Sequence, residues 1–194
     1  MRYLIIPLSL IAISAHAQQP AAPAAAQSPA ASPPPKTRLE QFQAKTGLVV
    51  IKGFTEVGTA AGKYGSTVSV SAMEFTDASS GAKQFGVTID IKGSGDYPQK
   101  STSYIDSDEV DSLLNGIDYI GRADKSVTKL ASFEATYRTK GDFAMTVFSS
   151  GRTGTMIAVQ SGRFGTASAY FDIAELPKVR QLIQKAQTTL ESIK

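Results

Sequence analysis

Two stretches of this chain, 66 residues apart, run in parallel. SYIDSDEVDSLLNGI and AYFDIAELPKVRQLI pair Tyr104 with Tyr170, Asp106 with Asp172, Glu109 with Glu175, Val110 with Leu176, Leu113 with Val179 and Ile117 with Ile183. Self-similarity at a fixed period marks a repeated supersecondary unit and limits the folds open to the chain. Ahead of each copy lie four runs rich in β-branched and aromatic residues: 48–57, 66–75, 84–92 and 101–105 in the first half, 133–139, 142–150, 153–161 and 167–171 in the second. In the third run Phe85, Val87, Ile89 and Ile91 alternate with Gly86, Thr88, Asp90 and Lys92, the period of a strand with one buried face. Gly-rich segments such as DASSGAK and GSGDYPQ separate the runs and read as turns.

After each set of strands the period changes to that of a helix. Val110, Leu113, Leu114, Ile117 and Ile120 predict an amphipathic helix over 107–120 ended by Gly121, and Leu176, Val179, Leu182, Ile183, Ala186, Leu190 and Ile193 predict another over 172–193. The fold expected is therefore α+β: a duplicated ββββα unit, 48–121 and 132–194, forming two antiparallel four-stranded sheets each packed against an amphipathic helix.

The N-terminus carries a different message. Arg2, an apolar stretch from Leu4 to Ile13, and the small-x-small site Ala15-His16-Ala17 make residues 1–17 a secretory signal peptide cleaved after Ala17. The apolar run is far shorter than the ~20 residues that span a bilayer, so no membrane span is expected in the mature chain. Residues 18–36 hold six Pro and seven Ala in nineteen positions and read as a disordered polyproline-like linker. A single globular domain is expected over 37–194, opening with a short helix at 38–45 whose capping box is Thr37 and Glu40. The localisation implied is periplasmic or secreted.

Composition then removes chemistries. The chain has no Cys and no Trp, and its one His, His16, falls in the leader. Ser-His-Asp and Cys-His catalysis are excluded, as are thiolate and imidazole metal sites, and the domain must hold together without disulfides. Setting aside Arg2 and Lys36 leaves 18 basic against 17 acidic residues, a near-neutral balance that does not favour nucleic acid or a membrane surface.

The densest reactive-looking cluster is Asp106, Asp108, Glu109 and Asp111. Asp108 and Asp111 are replaced by Ala174 and Pro177 in the second copy, whereas the Asp and the Glu three residues later recur. The cluster is expected to be a capping box, Asp106 and Glu109 at the first helix and Asp172 and Glu175 at the second, with the other acids favoured by the helix dipole. It lacks the spacing and glycine of an EF-hand. SGAK at 80–83 and KTG at 45–47 share vocabulary with serine β-lactamases, but in reversed order and with Ser80 in a turn. No catalytic residue, metal or cofactor is expected.

One set of side chains fits a ligand. Tyr137, Arg138, Lys140, Arg152 and Arg163, near Phe143, Phe148 and Phe164, combine cations with aromatics as single-stranded nucleic-acid sites do. The element order over 48–193 is similar to the Whirly and PC4-like transcriptional-coactivator folds, a resemblance that implies single-stranded nucleic-acid binding without carrying over any particular residue. The leading expectation is an exported, non-enzymatic binding or interaction module whose partner is another envelope protein or a small ligand. Nucleic-acid binding is the alternative.

Overall fold

The computed structural model describes residues 34–150, 154–162 and 166–194; the leader, most of the linker, Arg152, Arg163 and Phe164 lie outside them. The first sheet is β1 (Val50–Ala61), β2 (Thr67–Asp77), β3 (Lys83–Lys92) and β4 (Lys100–Asp106). The second is β5 (Glu134–Arg138), β6 (Ala144–Ser150), β7 (Gly154–Ser161) and β8 (Ala167–Asp172). In both, the strands are antiparallel and lie in chain order. Helix α1 (Arg38–Gln43) precedes the first sheet, α2 (Val110–Ile120) follows it, and α3 (Leu176–Glu191) follows the second. The fold is α+β, with two four-stranded sheets and a helix region after each.

Strand alternation builds the core. On the first sheet Val68 pairs with Ile91, Val70 with Ile89 and Ala72 with Val87, and on the second Met145 pairs with Val159 and Val147 with Ile157. These residues are buried in one continuous cluster with Ile105 and Phe171 and with Leu113 and Ile117 of α2 and Val179 and Ile183 of α3. Burying each such branched side chain stabilises by about 1.5–3 kcal/mol. A second, smaller cluster lies on the opposite face of the first sheet, where Leu39 and Phe42 of α1 cover Phe75.

The helices are exchanged between the two units. Helix α3, from the second unit, lies over β1, β2 and β3, and α2, from the first, lies over β5 and β6. Two glycines mark the contacts: a Cβ on Gly116 of α2 would meet the Tyr137 ring of β5, and one on Gly58 of β1 would meet Leu182 of α3 at 2.8 Å. The two sheets also touch directly, with β3 and β4 against β7 and β8 and with Ser103 and Ser161 hydroxyls 2.7 Å apart. Each fourth strand ends beside the first hairpin of the other unit. A Cβ on Gly141, in the β5–β6 turn, would meet the Tyr104 carbonyl, and one on Gly62, after β1, would meet the Tyr170 carbonyl at 3.0 Å. The matched tyrosines of the repeat occupy matched positions in the fold.

Three local expectations are corrected. First, β1 does not stop at residue 57 but continues through Ala61, because a bulge between Glu56 and Gly58 lets the strand bend while Val57 and Ala60 stay in the core. Second, neither expected box on α2 or α3 forms: Glu109 and Glu175 are the N-cap residues, neither makes a side-chain cap bond, and a 3-10 turn at Ile173–Glu175 precedes α3. Third, Lys36 belongs to the folded part rather than to a free linker: its N–H donates to Glu40 and its ammonium lies 2.6 Å from Asp142. The capping box of α1 is present as expected, with Thr37 Oγ1 accepting from Glu40 N–H at 3.1 Å and Glu40 Oε2 accepting from Thr37 N–H at 2.9 Å.

Candidate interaction surface

The acidic cluster is a junction and not a reactive centre. Asp106 is buried and accepts hydrogen bonds from Arg38 N–H at 2.9 Å and Leu39 N–H at 3.1 Å, so it caps α1, a helix 67 residues away in sequence. Two amides of the first turn that have no partner inside the helix are thereby satisfied by a carboxylate on the favourable side of the dipole. Glu109 reaches across to the other unit, where its Oε1 accepts from Lys140 N–H at 2.9 Å; its Oε2 is buried without a partner. Asp108 pairs with the Arg38 guanidinium and Asp111 accepts from Gln187 of α3 at 2.6 Å. Asp106 and Asp108 thus converge on Arg38, whose guanidinium also lies 3.6 Å from Asp106, while Glu109 and Asp111 turn to other partners. Among the described residues no three His, Cys, Asp or Glu side chains gather into a set that could hold a metal ion.

Of the five residues expected to bind a ligand, Tyr137, Arg138 and Lys140 lie within the described residues, on β5 and the turn after it. Tyr137 turns inward, packs on the core and has its phenol pKa raised by burial and then by the Glu109 charge. Arg138 follows it in the strand and so faces the other side of the sheet, exposed. Lys140 is exposed at the β5–β6 turn, held through its backbone by Glu109. Arg152 and Arg163 lie outside the described residues. Ser80 sits in the β2–β3 turn, where its hydroxyl accepts from Ala82 N–H, and Lys83 is bound 2.8 Å from Glu74, so the two are not a nucleophile and its base.

The surface that stands out is an edge strand. Among the described residues β1 has β2 on one side and no strand on the other, and from Ile51 to Glu56 every residue is exposed. It carries apolar side chains on both faces, Ile51 56% and Phe54 72% exposed, and Val49 just before it is 68% exposed. The Ala78 N–H donates to Val49 C=O, which makes 49 and 78 a hydrogen-bonded pair. Such pairs alternate along an antiparallel ladder, so Ile51, Gly53 and Thr55 bond to β2 while Val50, Lys52, Phe54 and Glu56 turn their N–H and C=O outward. Beyond the bulge the free edge ends, because Lys185 of α3 donates to Val57 C=O at 3.0 Å.

Shallow depressions border this strand along its length. One lies at Gly47–Val49 against Ala78 and Ser79, one at Gly53–Thr55 against Thr189 and Ile193, and one at Val57 against Leu182 and Lys185. The charges beside it are fixed. Glu74, across from Gly53, is held below the usual carboxylate range chiefly by Lys83 and also by the Thr76 hydroxyl. Lys52 lies over the Phe75 ring, 5.1 Å from its centroid, and Glu56 accepts from the Thr59 hydroxyl at 2.9 Å. Natural sheets usually blunt such an edge with charge, bulges or a covering element. Here the charge and the bulge are present, and no covering element lies on the edge among the described residues.

Sequence reasoning placed a strand here but did not single it out as a surface. The signal was available in LVVIKGF: four consecutive aliphatic residues, Leu48 to Ile51, followed by Phe54 exceed what one buried face of a strand can absorb. The first strand of a meander also lies at its edge. No helix among the described residues is long and apolar enough to cross a membrane. Compared with protein-family models and with curated proteins, the sequence matches none.

Proposed function

We propose that the chain is an exported, non-enzymatic interaction module whose binding element is the free edge of β1, which takes up an extended polypeptide strand. The observation that carries this reading is the run of exposed residues from Ile51 to Glu56, apolar on both faces and with outward amides that no strand pairs among the described residues. An added strand satisfies those amides and covers Ile51 and Phe54, the recognition mode in which the main chain supplies affinity and alternate side chains supply selectivity. Export is supported by the leader-like residues 1–17. A non-catalytic role is supported by the lack of His and Cys after them and by the engagement of Asp106 and Glu109 in structural hydrogen bonds. A photo-crosslinking side chain in place of Phe54, compared in the host envelope with one in place of the equally exposed Tyr119, tests it. Adducts with polypeptide from position 54 alone are expected. Equal yields at both positions, or none at 54, would overturn it.

A further inference from the structure

We infer that the strand taken up along β1 is β1 of a second copy of this chain, paired antiparallel about a two-fold axis at Phe54. This rests on β1 being the binding edge. In a two-fold pairing the same patch must complement itself, residue i meeting j while j meets i. Only the outward-facing positions 50, 52, 54 and 56 can form the new hydrogen-bonded pairs, which leaves a short series of registers.

With the axis at Phe54, the two Phe54 side chains face each other and Lys52 of each copy stands opposite Glu56 of the other. Directly opposed residues on one face lie about 4.5–5.5 Å apart, within reach of an ion pair and of aromatic contact. Neighbouring registers lose this match. An axis at Lys52 opposes two lysines and one at Glu56 opposes two glutamates, each a like-charge contact. An axis at Gly53 sets Lys52 against Phe54 and Val50 against Glu56, leaving both charges without an opposite directly across.

The surroundings fit the same axis. The two charges flank Phe54 symmetrically and all three are exposed on one face. The lateral limit is set by the bulge and by Lys185 on the Val57 carbonyl, so the ladder runs over 52–56. At the C-terminal end of α3, Thr189 and the exposed Ile193 border Gly53 and Thr55, next to the axis. The product is one eight-stranded sheet made from two first sheets, with both β1 edges removed.

Charge reversal tests this directly. Because the two-fold doubles every pair, Lys52→Glu and Glu56→Lys each create two like-charge contacts, and each should weaken self-association measured by sedimentation equilibrium by about tenfold. The double variant K52E/E56K restores both pairs and should return to within about threefold of the parent. As a second measurement, Phe54→Cys supplies the lone thiol of a chain without cysteine, and oxidation should trap a 54–54 disulfide, because opposed Cα atoms in such a pair fall within disulfide reach. Tyr119→Cys should not be trapped. A parent chain that stays monomeric at hundreds of micromolar, or reversal variants that associate as well as the parent, would overturn the inference. Photo-adducts from position 54 that contain only other proteins would also overturn self-pairing while leaving β1 as the binding edge, whereas no adducts at all would remove both.

Discussion

The two aspartates that the repeat aligns should respond very differently to truncation. Asp106→Ala removes the acceptor for Arg38 N–H and Leu39 N–H. Leu39 is fully buried, so its amide has no water to turn to and leaving it unpaired costs about 1–3 kcal/mol. The Arg38 bond is also made to a carboxylate, and losing it adds about 1 kcal/mol after partial rehydration. The sum is about 3 kcal/mol, which for a domain of this size lowers Tm by about 6–12 °C. Asp172→Ala removes no side-chain cap bond and only an exposed ion pair with Lys63, so its transition should stay where it was. Urea titrations followed by circular dichroism, compared at a common slope, give both values. Equal losses near the ~1 kcal/mol of an ordinary N-cap would refute the reasoning, because they would mean that each aspartate caps its own helix.

Further outcomes follow from the same contacts. Gly141→Ala forces a methyl group onto the Tyr104 carbonyl where the two units meet, and a loss of about 1–3 kcal/mol is expected by calorimetry or urea titration. The Arg180 guanidinium donates to both Asp118 oxygens, at 2.6 and 2.8 Å, and the carboxyl is held below its usual range by that contact. Both groups are about a third or more exposed, so a double-mutant cycle should return only about 0.3–1 kcal/mol, shrinking with salt. Asp77 is lowered to about 2, first by the Ser79 hydroxyl and then by the Ser79 amide and Ser80. A carboxyl with a depressed folded pKa contributes stability that is full above its unfolded value and lost as pH falls through the folded one. Asp77→Asn should therefore flatten the fall in urea midpoint between about pH 4 and pH 2 and leave the neutral range almost parallel to the parent.

Much of the fold was legible from period alone. The alternation at 85–92 and the helical spacing at 110–120 each reflect an apolar face turned to the core, although Gly86 and Thr88 on the other face of β3 are buried too, and burial is what a sequence records most plainly. The duplication was legible for the same reason, since the matched apolar positions Val110 and Leu176, Leu113 and Val179 serve matched helices. What the aligned acids do was not legible. Asp106 and Glu109 have the spacing of a local capping box, yet their partners lie in α1 and the β5–β6 turn, and no local pattern encodes contacts with elements so far away in the chain. The exchange of helices was hidden likewise, because amphipathic faces state that they are buried and not against which sheet. β1 lay between these cases: its surplus of apolar residues was in view, but its exposure depends on the absence of a neighbour.

The most direct test is residue-resolved amide hydrogen exchange along β1 in dilute and in concentrated protein. In dilute protein the amides of Lys52, Phe54 and Glu56 should exchange fast while those of Ile51, Gly53 and Thr55, bonded to β2, are protected. On concentrating, the first three should slow and the second three should change little. Outward amides that are already protected in dilute protein, or that stay unprotected at every concentration, would contradict the account of β1 as an open edge that pairs with its own copy.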